Sequence, residues 1–174
     1  MAFPTVGIIA SHLVQGIYEF EARKLGIKVN YLSEKCSVEE VITFSQGCDL
    51  IYVDPRMIST ASIKTVEKAG VKVYPSTKTL EQFEKISTSK TSGERLSILV
   101  ARSAHLQVCT WPITLITDNL TITPAPGMNS EQSQDIQLSA LKLADEISLI
   151  GAVELLVDAN DYKKLIDVNW LAPH

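Results

Sequence analysis

The chain has 174 residues, of which 45% are hydrophobic and 21% are charged. This composition supplies enough apolar sequence for a buried core, and the length allows one domain or two small ones. The formal net charge is -4, with acids and bases interspersed, which argues against a nucleic-acid partner and against a solvating acidic tail. No apolar run approaches membrane-spanning length and no basic leader precedes the first strand, so we expect a cytoplasmic protein without a membrane partner.

The cysteines and histidines do not form a recognisable metal or disulfide pattern. Cys36, Cys48 and Cys109 are widely spaced and include no CxxC pair, so we expect reduced, partly buried thiols. His105 and His174 lack paired cysteines or carboxylates at zinc-binding spacing. Neither histidine is a catalytic candidate.

The first stretch of the chain predicts a strand, a helix and a second strand. Thr5 to Ala10 and Ile27 to Leu32 are β-branched runs, and the segment between them has helical periodicity. The turn from the first strand into the helix, at Ala10, Ser11 and His12, is where such units usually bind a phosphate on exposed amide groups. This turn contains no glycine, and Ser11 is most simply the N-cap of the helix.

Further alternation of strands and short helices predicts a parallel sheet with crossover helices over residues 1–87. A capping box at Ser37 opens a helix that should close near Gly47. The remaining predicted elements are a strand from Asp49 to Val53, a helix capped by Ser59 or Thr60 and closing at Gly70, a strand from Val71 to Tyr74, and a helix from Thr77 that carries Leu80, Phe83 and Ile86.

The composition changes at Ser87 to Glu94, which reads STSKTSGE and predicts a polar linker over residues 88–94. Residues 95–174 then predict an antiparallel sheet with one long helix. Trp111 and Trp170 are expected to be packing anchors in this half. The predicted elements are strands at Arg95 to Arg102, Gln107 to Ile116 and Leu120 to Thr123, a helix from Ser130 to Ser148 with an apolar stripe, and a closing hairpin of Ala152 to Val157 and Leu165 to Trp170 around Asp158 to Asp161.

Both halves resemble one family, in the same order along the chain. The segments VGIIASHLVQGIYEFEARKLGIKV and GVKVYPSTKTLEQFEK, followed by LSILVARSAHLQVCTWPITLI, TPAPGMNS and LADEISLIGAVELLVDANDYKKLIDVNWLAPH, resemble 5-(carboxyamino)imidazole ribonucleotide synthetases. These are ATP-grasp enzymes, the ATPase subunit of phosphoribosylaminoimidazole carboxylase. The resemblance implies an α/β fold: an N-terminal parallel βαβ unit of the pre-ATP-grasp, Rossmann-like kind, followed by an antiparallel α+β remnant of the ATP-grasp domain.

The resemblance also implies an enzyme of de novo purine biosynthesis that uses ATP and magnesium to carboxylate aminoimidazole ribonucleotide with bicarbonate. The region corresponding to Ser87 to Glu94 holds, in the family, a subdomain with the lysines and glycine-rich flap that grip ATP. The chain also stops at His174, before the family's remaining substrate-binding residues. We therefore expect a truncated, degenerate member that binds neither ATP nor magnesium well, and we assign no catalytic residue.

Individual positions also depart from the family's pattern, and each departure weakens the case for ligand binding. The glycine-rich turn of the family falls on Ala10 to Gln15, so side chains stand where the backbone should approach a ligand. The stretch that helps hold the ribonucleotide falls on Asp54 to Met57, which keeps one acid and reverses another. Glu154 matches the first magnesium-binding glutamate, but the second falls on Trp170, which leaves Glu154 as an orphan metal ligand with too few oxygen partners.

These positions give the candidate sites. A residual ligand site is predicted at Ser11, His12, Leu13 and Asp54, with phosphate or another anion as its guest, because a helix N-terminus presents unpaired amides. Glu154 is the candidate metal ligand, although its simpler interpretation is a solvated or paired surface acid.

Three functions remain open at the level of the sequence. The first is an inactive relic or binding module, that is, a pseudoenzyme. The second is a residual nucleotide-binding or carboxylating enzyme that needs a second subunit for its ATP site. The third is a regulator of the downstream mutase. Because the missing subdomain would leave apolar surfaces and sheet edges without neighbours, the two halves are predicted to pack directly on each other, or two chains to form a homodimer.

Overall fold

The computed structural model describes residues 4–32, 36–86, 88 and 93–170, apart from the side chains of Leu13, Val14 and Ile17. The predicted linker therefore lies largely outside the described residues, as does His174. The chain divides into two compact units, the first extending to Glu81 and the second running from Gln82 to Leu171. In the part of the chain that is described, no helix is long and apolar enough to cross a bilayer.

The first unit is a parallel α/β layer structure, as predicted. Its four strands lie in the order β2-β1-β3-β4, and every neighbouring pair is parallel. Strands in this arrangement must be connected by crossovers, which the intervening helices supply. The elements are β1 Thr5–Ile9, α1 His12–Lys24, β2 Lys28–Leu32, α2 Val38–Ser45, β3 Leu50–Val53, α3 Thr60–Lys68, β4 Val73–Tyr74 and α4 Thr77–Phe83.

Both faces of this sheet are covered by apolar contacts, because successive side chains of a strand point to opposite faces. Ile8 and Ala10 pack in one cluster with Tyr18 and Tyr52, while Ile9 belongs to a second cluster. The second cluster joins strands to α2 and α3 through Val41, Ile51, Val53, Ile63 and Val66. At Gly7 a Cβ atom would lie 2.7 Å from the Phe44 ring and 2.9 Å from the Cys48 sulfur, so only glycine fits where α2 packs against β1.

The second unit is an antiparallel sheet covered on one face by a long helix, also as predicted. Five strands lie in the order β10-β9-β5-β7-β8, and β6 also pairs with β5. The central strand β5 pairs along its whole length with β9. The elements are β5 Arg95–Arg102, β6 Val108–Thr110, β7 Thr114–Ile116, β8 Thr121–Ile122, α5 Ser130–Glu146, β9 Gly151–Asp158 and β10 Leu165–Trp170.

The apolar stripe of α5 forms the core of this unit. Ile136, Ala140 and Ala144 are buried on it and pack in one cluster with Ile98 and Leu155 of the sheet. Asn129 caps the helix with a reciprocal capping box, in which its side chain accepts from the Gln132 amide and the Gln132 side chain accepts from the Asn129 amide. Such a box satisfies two of the backbone donors that a helix N-terminus leaves unpaired.

Four expectations about local structure are wrong. The strand predicted from Gln107 to Ile116 is two strands, because Pro112 has no N–H to donate and the register against β5 shifts by one residue across it. Trp111 is not a packing anchor but 46% exposed beside this irregularity. Cys109 is exposed on the edge strand β6, not partly buried. The α4 helix ends at Phe83, so Ile86 follows the helix and is not part of it.

Candidate functional site

The carboxyl edge of the parallel sheet brings together the candidate residues of the first unit. The β1 and β3 strands are neighbours, with Ile9 opposite Val53, and the Asp54 amide donates to the Ile9 carbonyl at 2.9 Å. Ser11 and Asp54 therefore follow adjacent parallel strands at the same edge of the sheet. This is the edge at which open α/β sheets usually bind ligands.

The strand-to-helix turn has the geometry of an N-terminus without a side-chain cap. Ser11 occupies the N-cap position of α1 with extended backbone angles, but its side chain makes no capping hydrogen bond. The first-turn amides of a helix have no partner within the helix, and they carry the positive end of its dipole. His12 is exposed at the first helical position. The Leu13 side chain lies outside the described residues.

Gln15 holds this turn in place. Its side-chain amide donates to the Ala10 carbonyl at 2.8 Å and to the Leu32 carbonyl at 3.2 Å. The first turn of α1 is thereby tied to the ends of both β1 and β2. Gln15 is not among the candidate site residues that the sequence predicts, although a glutamine one turn into a helix after a buried strand is a visible signal for such a tie.

Asp54 is completely buried and is engaged by Arg56. The Arg56 side chain donates to both Asp54 oxygens, from Nη2 at 2.7 Å and from Nε at 3.0 and 3.3 Å, and the Arg56 amide donates to Oδ1 at 3.0 Å. This two-pronged geometry is the strong form of an arginine–carboxylate contact. The hydrogen bonds to Asp54 raise the pKa of the Arg56 guanidinium, and the negative charge of Asp54 raises it further.

The exposed member of this ion pair is therefore the cation. The Asp54 side chain is 0% exposed, whereas the Arg56 side chain is 51% exposed. Asp54 thus holds the Arg56 guanidinium in place and is not itself exposed to a ligand. Asp54 is among the ligand-binding residues that the sequence predicts and Arg56 is not, because only the fold shows that their side chains pair within one turn.

The second unit places Glu154 in a polar row on the face of the sheet that α5 does not cover. Ser97 donates from its hydroxyl to Glu154 Oε1 at 2.6 Å, and the Asn169 amide donates to Oε2 at 3.1 Å. Both carboxylate oxygens are therefore hydrogen-bonded. Among the described residues no group of three or more His, Cys, Asp or Glu side chains is placed to hold a metal ion.

Trp170, on which the second magnesium-binding glutamate of the resemblance falls, does not lie opposite Glu154 in the sheet. Asn169 pairs with Glu154, whereas Trp170 pairs with Val153, a buried residue of the cluster that α5 covers. Because side chains alternate between the faces of a strand, Trp170 lies on the other face from Glu154. Its ring contacts Phe83 edge-on at 6.0 Å between centroids.

Trp170 is a packing anchor, as predicted, and the neighbouring backbone is shaped to admit it. A Cβ atom at Gly151 would lie 3.3 Å from the Trp170 ring, and Gly151 has a φ of +126°, which L residues rarely adopt. Trp170 also packs against the apolar cluster of α5 and the sheet. Trp170 is therefore part of the core of the second unit.

Comparison with known proteins gives a consistent set of relatives. An N5-carboxyaminoimidazole ribonucleotide synthase of Corynebacterium ammoniagenes is 33% identical over 125 residues, which cover 66% of this chain and 28% of that protein. The synthase of Mycobacterium tuberculosis H37Rv is 38% identical over 86 residues, covering 45% of this chain and 20% of that protein. The chain thus aligns with less than a third of the length of these curated relatives. No family model matches it.

Solved structures show the same fold at low sequence identity. The N5-carboxyaminoimidazole ribonucleotide synthetase of Thermotoga maritima superposes with a TM-score of 0.78 at 16% identity, over 98% of this chain and 69% of that one. A Rhizobium etli pyruvate carboxylase superposes with a TM-score of 0.72 at 17% identity, over 97% of this chain and 23% of that one.

Proposed function

We propose, from the premise that this chain is a homologue of the N5-carboxyaminoimidazole ribonucleotide synthases of purine biosynthesis, that it is a shortened, non-catalytic member that acts as a phosphate-binding module. The proposal has two parts. The second unit uses the inherited magnesium position for structure, and the first unit binds an anion at the carboxyl edge of its parallel sheet.

The surroundings of Glu154 carry the first part of the proposal. A magnesium ion needs a near-octahedral set of oxygen ligands. Here one oxygen of Glu154 accepts a hydrogen bond from Ser97 and the other accepts one from Asn169. Asn169, the residue opposite Glu154 on β10, is a neutral amide and not a second carboxylate. The position at which the family resemblance places a second glutamate holds Trp170, on the core face of the sheet.

Phosphoryl transfer depends almost wholly on positioning and charge stabilisation by metals and cations. Removal of one such group typically costs about a hundredfold or more in rate. The resemblance places the family's phosphate-gripping lysines in the region that corresponds to Ser87 to Glu94 of this chain. A chain with these several changes together is expected to have no measurable carboxylation activity.

Calorimetric titration of the purified chain with ATP and MgCl2, with and without aminoimidazole ribonucleotide, tests this part. We expect no saturable heat into the millimolar range. Trp170→Glu should restore nothing, because position 170 points away from Glu154 and the substitution should only destabilise the core. Micromolar ATP affinity, or bicarbonate-dependent phosphate release, would contradict the proposal and support a residual enzyme instead.

The exposed Arg56 beside an uncapped helix N-terminus supports the second part. The α1 amides provide donors and a positive dipole end, and Asp54 orients a guanidinium at the same edge. A cation combined with free amides is the chemistry that binds a phosphate group. Phosphate-bearing metabolites related to the ribonucleotides named for the homologues are the expected class of ligand.

Titration with inorganic phosphate, followed by chemical shifts of the Ser11 and His12 amides, tests this part separately. We expect Arg56→Gln to weaken binding about tenfold, since charge-assisted hydrogen bonds contribute roughly 1.5–3 kcal/mol. Arg23→Gln, at an exposed arginine near the other end of α1, is the control and should leave binding unchanged. Unchanged affinity after Ser11→Glu combined with His12→Glu would place the anion elsewhere.

A further inference from the structure

The second unit contains a cavity of about 250 Å³ between α5 and the sheet. Its floor is apolar, formed by Ile98 and Leu155 of the sheet with Ile136 and Ala140 of the helix. These four residues are at most 3% exposed and belong to the core cluster of the unit. The cavity therefore extends from the surface into the core and lies on the opposite face of the sheet from Glu154.

The cavity exists because small side chains face the sheet at this level of the helix. Ala140 offers a single methyl group where Ile136 fills the space one turn earlier. Ser139 is exposed beside it, and its hydroxyl donates to the Asp135 carbonyl in the helix. An engineered apolar cavity of roughly 150 Å³ can hold benzene, so this larger space can accept an apolar group of about eight carbon atoms.

The polar part of the lining lies at the turn between β9 and β10. Tyr162 and Lys163 line the cavity there, together with Ser139 on the helix. Lys163 is exposed and forms no ion pair with any described residue, whereas its neighbour Lys164 pairs with Asp158 at 3.8 Å. Asp161, the nearest acid in sequence, accepts a hydrogen bond from the Lys163 backbone amide. The cavity thus combines a dry apolar floor with a cation that is free to pair.

We propose that this cavity binds a small amphiphilic carboxylate, an acyl chain of about eight carbons whose tail fills the space between α5 and the sheet and whose carboxylate pairs with Lys163. Charge complementarity selects this class of ligand: the apolar floor has no partner for a polar body, and the free ammonium group favours an anionic head. This proposal does not depend on the phosphate site or on the absence of catalysis.

Octanoate is the probe, and octylammonium is its charge-reversed counterpart with the same total number of carbon atoms and an alkyl tail one methylene longer. Titration followed by amide chemical shifts of α5, β9 and β10 should show saturable octanoate binding in the submillimolar to millimolar range, with at least about fivefold weaker binding of octylammonium. Octanoate should also raise the melting temperature, because a ligand that binds only the folded state stabilises it.

Two variants separate the tail from the head. Ser139→Phe places a ring over the mouth of the cavity from an exposed helix position and should abolish octanoate binding. Lys163→Gln should weaken octanoate about fivefold and leave octylammonium unchanged or slightly tighter. Lys142→Gln, at an exposed lysine of α5 that does not line the cavity, is the matched control.

The proposal is overturned if the native chain gives no saturable shifts with octanoate at several millimolar, or if both charged probes bind equally. It is also overturned if a folded Ser139→Phe chain binds octanoate as well as the native chain. If Ser139→Phe does not fold, the comparison of Lys163→Gln with Lys142→Gln decides, since equal affinities of these two variants exclude a role for Lys163.

Discussion

Tyr18 shows how the local environment of one residue sets its chemistry. It lies on α1 with its ring 5.1 Å from that of Tyr52 and tilted by 54°. Burial raises the pKa of the Tyr18 phenol well above its ordinary value, and the neighbouring Tyr52 and the Asp54 charge raise it further. Tyr18 therefore stays protonated in the folded chain at alkaline pH, where an unfolded tyrosine ionises.

This pKa difference predicts a loss of stability at high pH. Above the ordinary tyrosine pKa, the unfolded chain releases the Tyr18 proton while the folded chain retains it, so the free energy of unfolding falls as pH rises. The expected slope is about 1.4 kcal/mol per pH unit from this one group. Urea unfolding measured from pH 8 to 11 should show a shallower decline for Tyr18→Phe than for the native chain. Tyr74→Phe, elsewhere in the same unit, is the control for the loss of a tyrosine hydroxyl.

The pairing of Asp54 with Arg56 shows where reasoning from the sequence reached its limit at this scale. The acid at position 54 and the reversed charge at position 56 were both visible in the chain. Their geometry was not, because the turn that lets the half-exposed Arg56 guanidinium pair with the buried Asp54 carboxylate is visible only in the fold. The same holds for Ser97 and Asn169, which meet Glu154 only through the register of three strands.

At the scale of elements, the helix termini carry much of the local specificity. The α2 helix begins with the capping box at Ser37 that its sequence predicts. The α5 helix begins with an equivalent box at Asn129 and Gln132, which is not among the predicted elements. An Asn with Gln three residues later is a recognisable variant of the same signature, so this cap could have been predicted.

Removal of the Asn129 cap should destabilise the second unit measurably. Asn129→Ala leaves the Gln132 amide without its side-chain acceptor, which typically costs about 1 kcal/mol. Ser130→Ala changes the exposed next residue, which makes no capping hydrogen bond, and should cost much less. Equal free energies of unfolding for the two variants in urea titrations would show that this cap does not contribute to stability.

The strands were predictable in kind but not in detail. Alternation and β-branched runs located nearly every strand of both units to within a residue or two. The interruption at Pro112 was not anticipated, because the surrounding residues read as one continuous strand. A proline on the unpaired side of an edge strand can be accommodated. Here Pro112 falls between β6 and β7, which both hydrogen-bond to β5, and it forces the register shift between them.

At the scale of the whole chain, each unit has its own sheet and its own buried apolar residues, which form two clusters in the first unit and one in the second. The fold class followed from the sequence because the parallel and antiparallel halves have different patterns, helices between strands in one and hairpins in the other. Where the two units meet along the chain could not be fixed from the pattern in the same way. The α4 helix spans this boundary, with Leu80 in the apolar cluster that joins the first unit's strands to α2 and α3, and Phe83 packed against the apolar cluster of the second unit.

The unpaired edge of strand β6 is the candidate interface for the predicted homodimer. Within the described residues, the outer edge of β6 has no strand beside it, while the neighbouring β7 is covered by β8. The residues around it include exposed Leu106, Val108 and Trp111, which are 66%, 41% and 46% exposed. Residues 103–112 contain no Asp, Glu, Lys or Arg. Natural edge strands usually carry such charges to prevent pairing with another chain.

We therefore expect two chains to associate through β6, with the strand of one chain pairing antiparallel to the same strand of the other around a twofold axis. Sedimentation velocity over a range of concentrations should show a reversible dimer. Val108→Lys should shift the chain to monomer, because a lysine on the edge would have to be buried beside its own copy. Leu138→Lys introduces the same charge at an exposed leucine of α5 that is not part of β6, and should leave the dimer intact. A native chain that sediments as a monomer at all concentrations, or a Leu138→Lys chain that dissociates as readily as Val108→Lys, would contradict an interface at β6.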